Sequence, residues 1–381
     1  MTLSIAGVGW VTPLGSGTDD VWNRLVAGEV AATEEVSDPL AEKSYFAYRV
    51  PQAALKSLPP HPRLRRASAI SRFAASAGLA ALADAGLALD QVKSSRFALI
   101  FAVANGGVIY TKRFYSDIVK TGAEAASPIL FPETVFNAAA SHVAAIMGLN
   151  GTTYTVVGDG SVGLTGIKMA EDLMSDPSLD YCLVVAAEEA DWLLCDAYEK
   201  WRLLRDDPPI GVFEKPGKGT ILSEGAGAVV LGRAGAIQIA ATSAGAHFAR
   251  RSQAGDVLAK ILKVVGAKED AVIFGSANGT FVDEAESSAL HRIAPSGMIH
   301  SIKPNVGEGV AASALWQVVA AVQALTTQQL PQPQYCGRTQ ADRLSPAAGG
   351  RLGEVTVLSC GLNQQAGGVR LERADIPRSS A

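Results

Sequence analysis

The chain has 381 residues, 48% of them hydrophobic and 18% charged, with 33 Lys and Arg against 37 Asp and Glu for a net charge of −4. Such a composition excludes a disordered or fibrous chain, and the slight acidic excess supplies no basic field for nucleic acid or anionic lipid. No apolar run approaches the ~20 residues that span a bilayer, and Gly7, Gly9, Pro13 and Gly15 interrupt the start where a signal peptide would need an unbroken apolar stretch, so a cytoplasmic location is expected.

Short runs rich in Val, Ile, Leu and Ala alternate along the chain with longer alanine-rich stretches of helical period. This pattern predicts an α/β protein with parallel strands joined by crossover helices. In chain order, the apolar runs predict strands over 3–8, 96–102, 153–157, 181–187, 227–231, 236–243, 271–275, 355–359 and 368–371. Helical period places helices over 71–85, 138–147, 162–175, 254–265, 283–293 and 309–324. The run "CLVVAA" is apolar at every position instead of alternating, which requires helices on both faces of the sheet. The segment "ILSEGAGAVVL" at 221–231 has an echo in "VLSCGLNQQAGGVRL" at 357–371, a sign of two related halves, 1–235 and 236–381.

Cys182, Cys195, Cys336 and Cys360 form no C-x-x-C pair, and the five histidines form no H-x-x-x-H pair, so neither a metal site nor a cofactor is expected. The cluster Arg63, Arg65 and Arg66 is too small to grip a polyanion but could meet an acidic carrier protein.

Five blocks in order, from residue 2 to residue 373, resemble the β-ketoacyl synthase (condensing enzyme) family of the thiolase fold. They are "IAGVGWVTPLGSGTDDVWNRLVAGE" with a helix carrying Trp22, "FPETVFNAAASHVAAIMGLNG", "FEKPGKGTILSEGAGAVVL", "IKPNVGEGVAASALWQVVAAVQAL" and "LSCGLNQQAGGVRL". The resemblance implies a five-layer αβαβα sandwich of two pseudo-repeated halves, with subunits pairing edge to edge. The chain is shorter than a typical member, and the trimmed part falls between Ser243 and Ala271.

Condensation needs a thiolate at the N-terminus of a buried helix, where backbone N–H groups and the helix dipole lower its pKa and hold an oxyanion. Two imidazoles must then stabilise the enolate formed on decarboxylation. Matching "YTVVGDGSVGLTGIKMA" to the family by its tyrosine and helix glycine puts Gly160 at the nucleophile position. The two histidine positions read Asn278, in Asn278-Gly279-Thr280, and Glu308, after Lys303. A glycine has nothing to acylate, Asn278 can offer only a neutral hydrogen bond, and an ionised Glu308 would repel an enolate. Lys303 and Glu224 match residues retained by the family, and Lys303 is expected to pair with Glu308.

Ser161 stands one residue beyond the nucleophile position in "DGSVG", reminiscent of a hydrolase elbow; the competing reading makes it a helix N-cap whose oxygen accepts a backbone N–H. Cys195 and Cys360 are expected to be buried hydrophobes, not relocated nucleophiles. His300 lies near Lys303 and His142 in the alanine-rich helix, the latter expected to pack at a subunit interface. Subunits of this family without the triad resemble chain-length factors. The resemblance therefore implies an intact ketosynthase as partner in a heterodimer, or a homodimer by default of the fold, an acyl carrier protein as visitor, and a polyketide or polyene product, with the aryl polyene systems the nearest look. The segment 129–136, with Leu130, Phe131, Val135 and Phe136, would reach the partner's tunnel. The alternative is an enzyme with altered chemistry, an acyl carrier decarboxylase, hydrolase or acyltransferase using Asn278, Lys303 and Glu308, or Ser161.

Overall fold

The computed structural model describes residues 2–39, 42–65, 67–94, 96–332 and 351–374; Arg66 and Cys336 lie outside these. Ten strands form one continuous path, to which the two-residue strand Gly15–Ser16 is appended at Ser4–Thr12. The N-terminal five, taken along the chain, are Ser4–Thr12, Phe97–Val103, Thr153–Val157, Tyr181–Glu188 and Gly225–Gly232; the later five are Ile237–His247, Val272–Phe274, Met298–His300, Glu354–Cys360 and Gln365–Arg373. Counted within its own set, each five runs third, second, fourth, fifth, first from the outer edge inward. In each, the outer three strands are parallel and the inner pairings antiparallel. The sets join through Ser4 opposite Gln238 and Ile5 opposite Ile237.

The parallel sheet expected from the sequence is thus a mixed one. The fifth strand of each set arrives antiparallel and lies between the first strand and the parallel trio. The echoed segments 221–231 and 357–371 both contain such a fifth strand, so the weak similarity in sequence reflects equivalent places in a repeated topology.

Helices Ala69–Asp84 and Ala138–Met147 cover one face of the first set, and Ala254–Val264 lies against the second with Phe281–Ile293 packed beside it. Between the sets run Val162–Leu173 and Ala311–Thr327, which touch strands of both. These are the five layers expected. The central Ala311–Thr327 helix is buried continuously from Ala311 to Leu325, which its sequence of Ala, Val, Leu and Trp permits because no side needs to face water. Close approach of sheet and helix explains Gly7 and Gly9. A Cβ on either would fall 2.4 or 2.3 Å from the Ala81 or Ala77 carbonyl oxygen of the Ala69–Asp84 helix.

Several elements escaped the sequence patterns. A hairpin of Thr33–Asp38 and Lys43–Tyr48, extended by Leu222–Ser223, is too polar to show strand alternation. The Val108–Thr121 helix, none of whose residues is fully buried, was also missed. No helix among the described residues is long and apolar enough to cross a membrane.

Candidate functional site

The strand Thr153–Val157 ends in a turn that places Gly160 just before the Val162–Leu173 helix, in the layer between the two strand sets. The Gly160 carbonyl accepts a hydrogen bond from Ser359 Oγ at 3.2 Å. A Cβ built on Gly160 would stand 3.0 Å from the Gly361 Cα, a backbone atom of the closing loop. That loop is clamped from the other side: Asp159 Oδ2 accepts the Asn363 N–H at 2.7 Å, while the Asp159 N–H donates to Gln365 Oε1 at 2.8 Å. Burial pushes the Asp159 carboxyl above the usual carboxylate range. Gly361 must itself be glycine, since its Cβ would fall 2.0 Å from Asp159 Oδ2. A side chain at Gly160 would therefore have to push the Gly361 backbone back by a few tenths of an ångström.

Asn278, Lys303 and Glu308, distant in sequence, meet in one buried network. The Asn278 amide nitrogen donates to Glu308 Oε2 at 2.7 Å, and Lys303 Nζ forms an ion pair with that same oxygen. The second carboxylate oxygen accepts Ser313 Oγ at 2.9 Å and the Val310 N–H at 3.0 Å. Thr280 Oγ1 donates to Asn278 Oδ1 at 2.6 Å. With Lys303 and Glu308 each only 3% exposed at the side chain, this is a charge pair with nearly every lone pair and proton engaged. The expected Lys303–Glu308 pairing is therefore present, and no carboxylate oxygen of Glu308 is left to act as a base.

A second acidic tier supports the network from below. Asp283 Oδ1 accepts the N–H groups of Asn278 and Gly279 at 2.8 and 3.0 Å, and burial raises its pKa to about 6 despite those bonds. Glu286 accepts Ser276 and Ala277 N–H at 2.5 and 3.0 Å, and burial raises it to about 8. Sequence reasoning missed Asp283, Glu286 and Ser313. Two acids three residues apart in the first turns of the Phe281–Ile293 helix were the available signal, though the same spacing serves helix capping more often than a site.

The remaining candidates are not brought into this network. Glu224 turns away toward Arg49, 3.3 Å off, and accepts the Val50 and Ala190 N–H groups at 3.1 and 3.4 Å. Ser161 occupies the N-cap position, but its side chain caps nothing and its buried Oγ has no partner among the described residues, which corrects the capping expected of it. His300 packs its ring 5.7 Å from that of Phe274, and burial drives its pKa down to about 4 against a small opposing pull from the Pro331 carbonyl. It is a core residue. Cys182 and Cys195 are buried thiols pushed up to about 12, and burial likewise raises Cys360. None is poised as a thiolate. Among the described residues no group of three His, Cys, Asp or Glu side chains is arranged to hold a metal.

The segment around Phe131–Thr134 lies at the surface. Phe131 is 56% and Phe136 48% exposed, Ile129 and Val135 are exposed, and Leu130 is half-buried. The strand Thr153–Val157, which like the turn packs against the Ala138–Met147 helix, ends the sheet path among the described residues, with Tyr154 and Val157 exposed. Tyr115 and Val119, four residues apart on the Val108–Thr121 helix, add to the apolar exposure. His142 is mostly buried and bonds Glu133 at 2.6 Å.

The sequence profile of the beta-ketoacyl synthase N-terminal domain matches residues 2–236, and that of the C-terminal domain matches residues 228–335. The chain is similar to nodulation protein E of Rhizobium meliloti (strain 1021), 25% identical over 354 residues that cover 86% of this chain and 87% of that one. It is also similar to 3-oxoacyl-[acyl-carrier-protein] synthase 2 of Vibrio cholerae, 24% identical over 234 residues, 60% of this chain; the match spans only 56% of that relative's length. In structure it superposes on the ishigamide ketosynthase/chain length factor with a TM-score of 0.86 at 17% identity, over 98% of this chain and 99% of that one. A type II PKS ketosynthase solved with its acyl-carrier protein, AntDE:AntF, gives 0.81 at 18% identity, over 98% and 99%. With both domain profiles matched in order across most of its length, the chain belongs to the β-ketoacyl synthase family.

Proposed function

We propose that this chain is a non-condensing ketosynthase-like subunit, a chain-length factor, that pairs with an intact ketosynthase and shapes the tunnel in which a polyketide or polyene grows on an acyl carrier protein. The observation that carries the reading is the replacement network: Glu308 is bonded to Lys303, Asn278, Ser313 and the Val310 N–H, while Gly160 abuts the Gly361 backbone. Every position that condensation would use is occupied by structure. A decarboxylase, hydrolase or acyltransferase at the same place would need a free base or an activated nucleophile; both Glu308 oxygens are engaged, and the Ser161 hydroxyl has no base hydrogen-bonded to it among the described residues.

The partner follows from the edge strand Thr153–Val157 with the apolar residues beside it. An exposed edge flanked by aromatic side chains is an aggregation hazard unless another chain covers it. A ketosynthase of the same fold offers a matching edge, and Leu130, Phe131, Val135 and Phe136 then face its tunnel. The division at residues 235 and 236, a cytoplasmic location and an aryl polyene product complete the proposal.

The test is co-expression with a ketosynthase from the same genome that retains Cys, His and His, together with its carrier protein. A one-to-one complex by native mass spectrometry, whose products lengthen on Phe136→Ala, supports the reading. A stable homodimer that alone turns over malonyl carrier protein, and loses this activity with Lys303→Ala, overturns it.

A further inference from the structure

The Phe131–Thr134 turn has one residue of opposite character to its neighbours. Phe131, Val135 and Phe136 point outward, whereas Glu133 is 8% exposed and sends Oε1 to His142 Nε2, 2.6 Å away on the Ala138–Met147 helix. The other carboxylate oxygen, and His142 Nδ1, have no partner among the described residues. An unsatisfied buried polar atom costs ~1–3 kcal/mol, so an apolar residue here would make a more stable turn. Stability alone does not account for the pair.

The turn's other hydrogen bonds are within itself or to Ser127 and Thr111, such as Thr134 Oγ1 donating to the Phe131 carbonyl at 2.7 Å, so the pair is what ties it by side chains to the helix after it. The turn is a single 3-10 turn without a side-chain cap, held to the Val108–Thr121 helix by Thr111 Oγ1 donating to the Thr134 carbonyl at 3.3 Å and by the Phe114 and Phe131 rings at 5.7 Å. On its inner side it rests on glycines: a Cβ on Gly107 would fall 2.3 Å from the Glu133 carbonyl oxygen, and one on Gly106 2.4 Å from Phe136 Cδ1. Phe136 thus packs directly on the Gly106 backbone, and Phe131 on the Phe114 ring. The Glu133–His142 bond is the side-chain tie between the turn and the helix that follows it, beside the Ala138 N–H donating to the Val135 carbonyl at 3.2 Å.

We infer that Glu133 and His142 are positioning residues for product length. By pinning the turn, their bond sets how far Phe131 and Phe136 stand out from the surface. The inference rests on the tunnel-shaping function proposed above, in which those two rings meet the partner's growing chain. Neither Glu133 nor His142 touches that chain. A hydrogen-bonded pair serves the purpose better than an apolar plug because it fixes one geometry, whereas exposed apolar contacts tolerate sliding.

The experiment uses the co-expressed complex with Glu133→Ala, Glu133→Gln and His142→Ala, reading the ratio of product lengths normalised to total product, and complex mass. The expected result is that Glu133→Ala and His142→Ala shift the ratio toward longer products by about five-fold, the equivalent of one ordinary hydrogen bond. Glu133→Gln, which keeps an acceptor toward His142, restores the wild-type ratio. A turn that matters only for folding would lower total product without moving the ratio. The inference is overturned if complexes with Glu133→Ala form and give the wild-type ratio, or if Glu133→Gln shifts it as far as Glu133→Ala. Should either alanine variant fail to fold, Glu133→Gln combined with His142→Asn, which keeps the turn filled but spans the gap poorly, must give the same shift. If the wild-type chain forms no complex at all, the tunnel reading itself fails.

Discussion

Removing Glu308 probes the buried network of Asn278, Lys303, Glu308 and Ser313. In Glu308→Ala the Lys303 ammonium is left buried without a counter-charge, which costs ~3–5 kcal/mol, while Ser313 Oγ, the Val310 N–H and the Asn278 amide lose their acceptor. These losses overlap because the groups share one carboxylate, so we expect a total of about 5 kcal/mol, the lower end of the full stability of a typical domain. The double variant Lys303→Met with Glu308→Leu removes both charges, and the uncompensated ammonium with them. It is expected to be more stable than Glu308→Ala by at least ~2 kcal/mol, since apolar replacement of a buried pair is often near neutral. The assay is urea unfolding followed by circular dichroism, comparing midpoints at equal slope. A Glu308→Ala protein within about 1 kcal/mol of wild type, or a double variant as unstable as the sum of the two singles, refutes the reasoning.

Placing a thiol at Gly160, the position proposed to have lost a nucleophile, is expected not to restore acylation. Gly160→Cys brings a Cβ to 3.0 Å from the Gly361 Cα, so overpacking lowers stability by ~1–3 kcal/mol and no acyl adduct accumulates with acyl carrier protein; a stable adduct by mass spectrometry contradicts this. Stability should fall toward acid because of His300. Its folded pKa of about 4 lies below the unfolded 6.5, so its contribution is present above pH 6.5 and is lost as pH falls toward 4, by about 3 kcal/mol. His300→Leu should flatten that limb of a melting-temperature profile, and an unchanged limb rejects the assignment. Glu286 acts in the other direction. Its pKa is raised from 4.5 to about 8, so its contribution is full below pH 4.5 and is lost between pH 4.5 and 8; Glu286→Gln should flatten the decline across that window, and a decline that persists unchanged counts against it.

The sandwich was legible because its buried strands carry unbroken apolar runs, as in "CLVVAA" of the Tyr181–Glu188 strand, and its central helix is mostly Ala, Val and Leu, with Ser313, Gln317 and Gln323 as polar exceptions. The mixed direction of the strands was not, since both parallel and antiparallel neighbours fill a two-sided core with the same residues. Lys303 and Glu308 could be paired from sequence because five residues and one tight turn separate them, and Gly307 supplies the positive φ of 81° that turn requires. Asn278 could be assigned to the same place only through the family's block order, as it lies thirty positions from Glu308 with the Phe281–Ile293 helix and the Met298–His300 strand between. Ser161 shows the limit of local rules: a serine before a helix predicts a cap, yet packing between the strand sets left its hydroxyl buried and unbonded. Glu133 had no sequence signal at all, because a lone acid among aromatic residues reads as a solvated turn until its side chain is seen turned inward toward His142.

The central claim is that this chain contributes shape while the partner carries the acyl group. Incubating the co-expressed complex with acyl carrier protein and weighing both intact chains by mass spectrometry tests it directly. The account predicts the acyl mass on the ketosynthase partner alone, and an acyl group on this chain, at Ser161 or anywhere else, would contradict it.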